Sequence, residues 1–474
     1  MALPPADTQP ALAIHASVTG TELTQVELGD GARRSFRAIP WADLARTPLA
    51  PGPYVVRFQV AGGERVALEL PVCSGRTRVL VDGVVLASPP GPIVLPLPPR
   101  PAEAHEVELE IQVGAYEKRI ACGSAPRFGA QVQSKDGLSQ LTFHSPWSAA
   151  GGGRAVVFVP RGHDAKKPSA LLVGTHPWNG SPWTYAAYAE LLRQATTKDV
   201  VLLFPSGLGN SLYTASAEDE TMRALDAVAQ VVAVDPRRVS IWGASMGGAG
   251  ATTIGLHHPD RFATITSFFG DARYDMTTYV RSILKDDAGA HQVNAIDVVD
   301  NARHVPIWLV HGEDDRVSPI VQSVILARAL EEKKHTVRFD RVPHAGHEGP
   351  LVVKFIAEVV DRAAEARVPE SPRRITFKSV RREDTSAYGA HLVRSAAPGD
   401  GFIDLERRVD GVHVLKASGV TRIELTRGAL GGGAEALPVV IDDPVAALAK
   451  VEVRWLAPTP PPIATPTTPT PTTP

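Results

Sequence analysis

The chain has 474 residues, enough at about 150 residues per domain for several packed cores. Hydrophobic residues make up 44% and charged residues 21%, and 49 Lys+Arg against 51 Asp+Glu leave a net charge of −2. That balance excludes a broad electrostatic footprint for nucleic acid, and no apolar run approaches the ~20 residues that cross a bilayer.

The opening residues, MALPPADTQPALAIHASV, have neither a basic n-region nor an apolar h-region, so as written they do not read as a signal peptide. From residue 11 to about 145 short strands stand between breakers. Stretches 54–60, 65–70, 77–81 and 105–113 alternate apolar with polar residues. Such alternation buries one face and wets the other, which predicts an antiparallel β-sandwich over 1–148. The Pro-rich stretch 88–101 cannot be a central strand, because each Pro removes a ladder donor. Cys73 and Cys122 are too few for a disulfide scaffold or a cysteine zinc site. They either form one bridge, in an oxidising compartment, or stay as buried thiols.

From residue 149 the grammar changes. Apolar runs at 155–159, 170–173, 200–204 and 239–242 alternate with helical patterns near 182–197 and 217–233. This predicts a mostly parallel sheet buried under helices on both faces, over 149–368. Residues 369–456 return to strand patterns with no helical one, and predict a C-terminal β-rich module. The last segment, 457–474, is almost entirely Pro and Thr and predicts an extended, solvated tail. No blade-length repeat of a propeller is present.

The chemistry-bearing motif is Gly243-Ala-Ser245-Met-Gly247-Gly248, directly after the apolar strand 239–242 and before a small-residue helix at 249–257. A serine on so tight a strand-to-helix turn projects its hydroxyl at the positive end of a helix. The Met246 N–H then aims at a developing oxyanion. A serine hydroxyl also needs a base, and the base an orienting carboxylate. Downstream, the buried strand 306–310 leads into His311-Gly-Glu-Asp314-Asp315, and the strand 337–342 into Pro343-His344-Ala-Gly-His347. Acid and base thus follow the serine at the ends of successive strands. Of the adjacent Asp314 and Asp315 only one can face an imidazole; Asp271, after the strand 265–269, is an outside alternative. His257-His258 lacks a matching ligand set, so no metal and no cofactor is expected. A second oxyanion donor belongs on the loop Gly174-Thr-His176-Pro-Trp178-Asn179-Gly180. Pro177 has no N–H, which leaves the Trp178 or Asn179 backbone. His176, Trp178, Asn179 and Trp183 are the candidate substrate-binding residues. Trp178, Trp183 and Tyr185 form either an acyl or sugar platform or packing beneath the loop.

These residues resemble the α/β-hydrolase superfamily, and more narrowly the esterase and predicted-peptidase branch near prolyl oligopeptidases. The likeness rests on Trp242-Gly-Ala-Ser-Met-Gly-Gly, on His258-Pro-Asp-Arg-Phe262 and on His311-Gly-Glu-Asp-Asp, and covers about 150–367. It implies the pattern H-G-x-x-D-x-V-x-P, which selects Asp315, and a catalytic histidine after Ala-Gly, which selects His347 over His344. His176-Pro stands where the family has His-Gly. The expected fold is an α/β-hydrolase domain with a mostly parallel sheet, flanked by an N-terminal β-sandwich and a C-terminal β-rich module. The expected function is cofactor-free hydrolysis of a carboxylic ester, polymeric esters included, through Ser245, His347 and Asp315. A prolyl oligopeptidase-like peptidase is the alternative, although the propeller gate of that group has no counterpart. A polymer- or surface-binding scaffold is a third reading. The β modules and the Pro/Thr tail favour an exported protein.

Overall fold

The computed structural model describes residues 10–14, 16–31, 35–63, 66–71, 73–87, 93–97, 100, 103–114, 118–133, 137–147, 152–276, 287–431 and 436–456. The chain divides into two units, 1–368 and 369–474. In the first unit, nine strands build the largest sheet: β1 (Ala11–Ile14), β2 (Leu138–His144), β3 (Gly152–Phe158), β4 (Ser169–Thr175), β5 (Val200–Pro205), β6 (Val234–Ala244), β7 (Ile265–Phe268), β8 (Ile307–Gly312) and β9 (Val337–Val342). Their spatial order is β1-β2-β3-β5-β4-β6-β7-β8-β9. β4 through β9 pair in parallel, whereas β1, β2 and β3 join antiparallel.

β4, β5 and β8 are buried along their whole length and show no alternation, because helices cover both faces. Those helices are α1 (Ala189–Lys198), α2 (Ser216–Val231), α3 (Met246–His257), α4 (Asp287–Val293), α5 (Val321–Glu332) and α6 (Gly349–Glu365). α6 turns Leu351, Ile356, Val359 and Val360 onto Leu191 of α1 and onto Leu172, Trp242 and Trp308 of the sheet. Each such side chain contributes about 1.5–3 kcal/mol by leaving water. α3 is buried at every position, as expected of a helix that is apolar or small all round. Register brings the strand ends level: Thr175 lies opposite Gly243, Ala244 opposite Phe268, and Gly312 opposite Val342. The loops leaving β4, β6, β7, β8 and β9 therefore meet along one edge.

Two details differ from the sequence pattern. The helix expected near 182–197 starts at Ala189, after a 3₁₀ turn at Tyr185–Ala187. β1 and β2 fall inside the stretch expected to be sandwich, yet β2 pairs with β3 from Leu138↔Phe158 to His144↔Gly152. Alternation sets which face is buried and not which strand is the partner.

The other described strands of 16–133 form a six-stranded and a four-stranded sheet. Their facing sides share one cluster, with Val56, Phe58, Val79, Val107 and Leu109 against Leu68, Leu70 and Leu95. Ile93–Pro96, from the Pro-rich stretch, is an edge strand, where a missing donor costs little. Cys73 and Cys122 form a disulfide; the buried-thiol alternative is not what the structure holds.

The second unit contains two four-stranded sheets around Phe377, Leu392, Leu405, Val414, Ile423 and Leu425. It also holds a helix that the sequence pattern did not predict, Pro444–Leu448, capped by Asp443 accepting from the Val445 N–H. Five residues are too few to show a helical period; the Asp-Pro start was the available signal. The Pro/Thr tail lies outside the described residues.

Candidate active site

β6 ends at Ala244 and α3 begins at Met246, so Ser245 alone reverses the chain, at φ 56° and ψ −122°. For an L-residue that conformation costs about 1–3 kcal/mol and persists only when its surroundings over-determine it. They do. The Ser245 N–H donates to Phe268 O at 2.9 Å, and Ser245 O accepts from the Ala249 N–H at 3.0 Å. A Cβ on Gly243 would sit 2.4 Å from Gly247 O, and one on Gly247 would sit 1.8 Å from Thr175 O. Both glycines are therefore required by close backbone approach. One residue back, the Ala244 N–H donates to the Tyr185 hydroxyl at 3.0 Å, and that hydroxyl donates to Thr175 O at 3.1 Å. Burial pushes the Tyr185 phenol far above its ordinary range, so it keeps its proton.

The turn between β9 and α6 presents His347. Its Nε2 lies 2.8 Å from Ser245 Oγ, and its Nδ1 lies 2.7 Å from Asp315 Oδ2. The Phe269 ring, 4.5 Å away, packs against the imidazole. Asp315 Oδ1 accepts from the Val317 and Ser318 N–H groups at 2.8 and 3.0 Å. Burial would raise this carboxyl, but hydrogen bonds from His311 and His347, with the Val317 N–H, hold it well below the usual carboxylate range. Ser318 is the hub behind it: its carbonyl lies 2.8 Å from His311 Nε2 and its hydroxyl donates to Asp271 Oδ1 at 2.6 Å. Asp271 thus stands one side chain behind the Asp315 site, not against His347. Asp314 and His344 are exposed and face each other at 3.9 Å, and His258 Nε2 lies 2.8 Å from Glu218.

On the loop after β4, Trp178 is 40% exposed and lines the cavity above Ser245. His176, expected to bind substrate, does not line it. Its ring is buried, with Nδ1 and Nε2 each 2.9 Å from a carbonyl, of Pro177 and Ser206. The ring closes the loop from beneath. Asn179, also expected there, adopts φ 58° and gives its N–H to Asn210 Oδ1 at 2.7 Å, while Asn210 returns a bond to its side chain. That N–H is committed and cannot hold an oxyanion. Trp183 packs against the core below and likewise does not line the cavity. Tyr185 does both, with its ring 4.3 Å from Trp242.

The cavity has a volume of about 560 Å³. Pro177, Trp178, Tyr188, Met246, Phe269, Val317 and Val352 surround Ser245 and His347, and Glu348 stands beside them. Sequence reasoning missed Tyr188, Phe269, Val317, Glu348 and Val352, which come from separate segments and carry no local signature. Among the described residues, no group of three or more His, Cys, Asp and Glu is arranged to hold a metal.

Residues 210–363 match the profile of the prolyl oligopeptidase family, a span that includes Ser245, Asp315 and His347. No protein of curated function matches the chain significantly. Among solved structures the chain is similar to an S-formylglutathione hydrolase from Agrobacterium tumefaciens, at 19% identity and TM-score 0.43 over 50% of this chain and 98% of that one. It is similar to a thermostable esterase at 15% and 0.39, over 68% and 97%. It is similar to the Pyrococcus horikoshii acylaminoacyl peptidase at 13% and 0.39, over 52% and 44%. The family match and the mostly parallel sheet with its elbow define a serine hydrolase of the α/β-hydrolase type. Within that class, the matched segment carries the prolyl oligopeptidase pattern, in line with the likeness of the sequence motifs.

Proposed function

We propose that the protein hydrolyses carboxylic esters through an acyl-enzyme formed on Ser245. The observation that carries this reading is His347, held with one ring nitrogen on Ser245 Oγ and the other on Asp315. His347 takes the Ser245 proton as the oxygen attacks the ester carbonyl. The tetrahedral intermediate collapses, the alcohol leaves with that proton, and water attacks the acyl-enzyme by the reverse route. Asp315 stays ionised, keeps the Nδ1–H tautomer and stabilises the imidazolium. The oxyanion is received by the Met246 N–H, which the start of α3 leaves without an intrahelical acceptor. The Trp178 N–H is the partner donor, given that the Asn179 N–H is spent on Asn210.

In this reading the catalytic block comprises 149–368 together with strands β1 and β2, which the expected boundary at 148 had left in the sandwich; the remaining strands of 16–133 are a β-sandwich accessory region, and 369–456 are a β-rich module. The family match favours one alternative, a serine peptidase on the same machinery. Labelling by a fluorophosphonate probe, with a panel of p-nitrophenyl esters and peptide anilides, tests both. Ester turnover and labelling are expected, and both should vanish in Ser245→Ala while its circular dichroism is unchanged. Turnover by Ser245→Ala would refute the nucleophile; anilides cleaved faster than esters would favour the peptidase.

A further inference from the structure

We propose that Glu348 selects the charge of the leaving alcohol, so that the enzyme prefers esters of neutral or cationic alcohols and discriminates against anionic ones. The inference rests on the ester-hydrolase reading and deepens it.

The cavity over Ser245 is apolar on most sides, with Pro177, Trp178, Phe269, Val317 and Val352 in its wall. No lysine or arginine is among the described residues that line it. A substrate bearing a carboxylate, sulfonate or phosphate would thus lose its water there without a counter-charge, which is costly. Among the described residues that line it, Glu348 carries the one carboxylate. Among the described residues that carboxylate has no hydrogen-bond or ion-pair partner. It occupies the N-cap position of α6 without capping it, since its side chain accepts no helix N–H. Its backbone carbonyl accepts from the Leu351 N–H at 3.2 Å. Among the described residues its side chain has no ion pair, although α6 starts against the site.

Position decides which half of the substrate it meets. His347 must hand its proton to the departing alkoxide, so the alcohol part lies on the His347 side of the scissile bond, next to residue 348. A negative charge beside the leaving group attracts a cationic alcohol and repels an anionic one. Glu348 is exposed, so solvent screens the effect, and about three- to tenfold between alcohols of unlike charge is the expected size at low salt.

The test uses the full chain and three butyrate esters: of choline (cationic), of 3,3-dimethylbutanol (its neutral isostere) and of 2-sulfoethanol (anionic). In the wild type, kcat/KM should fall in that order. Glu348→Gln should shrink the choline-to-dimethylbutyl ratio about three- to tenfold, Glu348→Lys should invert the order, and molar salt should flatten the wild-type profile. Ratios that stay fixed while all three esters slow equally would mean that Glu348 acts on His347 or on α6, and would overturn the proposal. So would a wild-type order independent of charge. In either case, fluorophosphonate labelling that requires Ser245 would leave the esterase reading standing; absence of labelling would instead remove the reading beneath both.

Discussion

Tyr185→Phe isolates how the elbow is held. The hydroxyl accepts from the Ala244 N–H at 3.0 Å and donates to Thr175 O at 3.1 Å, in a fully buried setting that keeps it protonated. It therefore ties β6, one residue before the nucleophile, to the end of β4. Its removal orphans a donor and an acceptor, each worth about 1–3 kcal/mol when buried unpaired. With little volume lost, the variant should be less stable by about 3 kcal/mol. Because Ala244 precedes Ser245 directly, kcat should also fall, by about ten- to a hundredfold if the elbow shifts by a fraction of an ångström, with KM nearly unchanged. Urea unfolding followed by tryptophan fluorescence suits the measurement, because Trp242 packs against the Tyr185 ring. A variant within about 0.5 kcal/mol of wild type, the range of a neutral surface change, with wild-type kcat would refute the claim that this hydroxyl holds the elbow.

Asp315→Asn keeps the shape of the side chain but removes the charge that fixes the His347 tautomer, so kcat should drop about 10³–10⁴-fold while the fold, read by circular dichroism, is retained. The Cys73–Cys122 bridge spans 49 residues, so the double variant Cys73→Ser/Cys122→Ser should lose about 4 kcal/mol by loop-entropy arithmetic; a melting temperature equal to wild type, with and without reductant, would contradict this. Burial, with Arg303 nearby, pushes the His335 imidazole down to about 4. The unfolded chain therefore takes up this proton first. The stability it supports is whole above the ordinary imidazole value and erodes as pH falls toward 4, by at most about 3 kcal/mol. His335→Gln should flatten the stability–pH curve in that interval, as measured by unfolding at pH 7 and pH 5.

Local patterns named Ser245, the pair Asp314 and Asp315, and the pair His344 and His347 as candidates, because an elbow, an acid turn and a histidine turn are each written in a few adjacent residues after an apolar strand; the family likeness chose Asp315 and His347 within the pairs. The βαβ grammar and the alternation of strands such as 105–113 were local as well. Partnership was not. Nothing near Asn179 announces that Asn210 consumes its N–H, and nothing near His176 announces that two carbonyls close around its ring. Phe269, Val317, Glu348 and Val352 meet at one cavity only because parallel register ends several strands at the same edge. Strand β2 shows the same limit, since its pattern fits either sheet and pairing with β3 chooses. The sequence by itself determined which groups could react and which turns carry them, since backbone geometry over a few residues is a short-range property. Tertiary structure decided which hydrogen-bonding groups remained for a substrate and what surrounds it, because donors and walls are allotted by contacts between segments far apart in the chain.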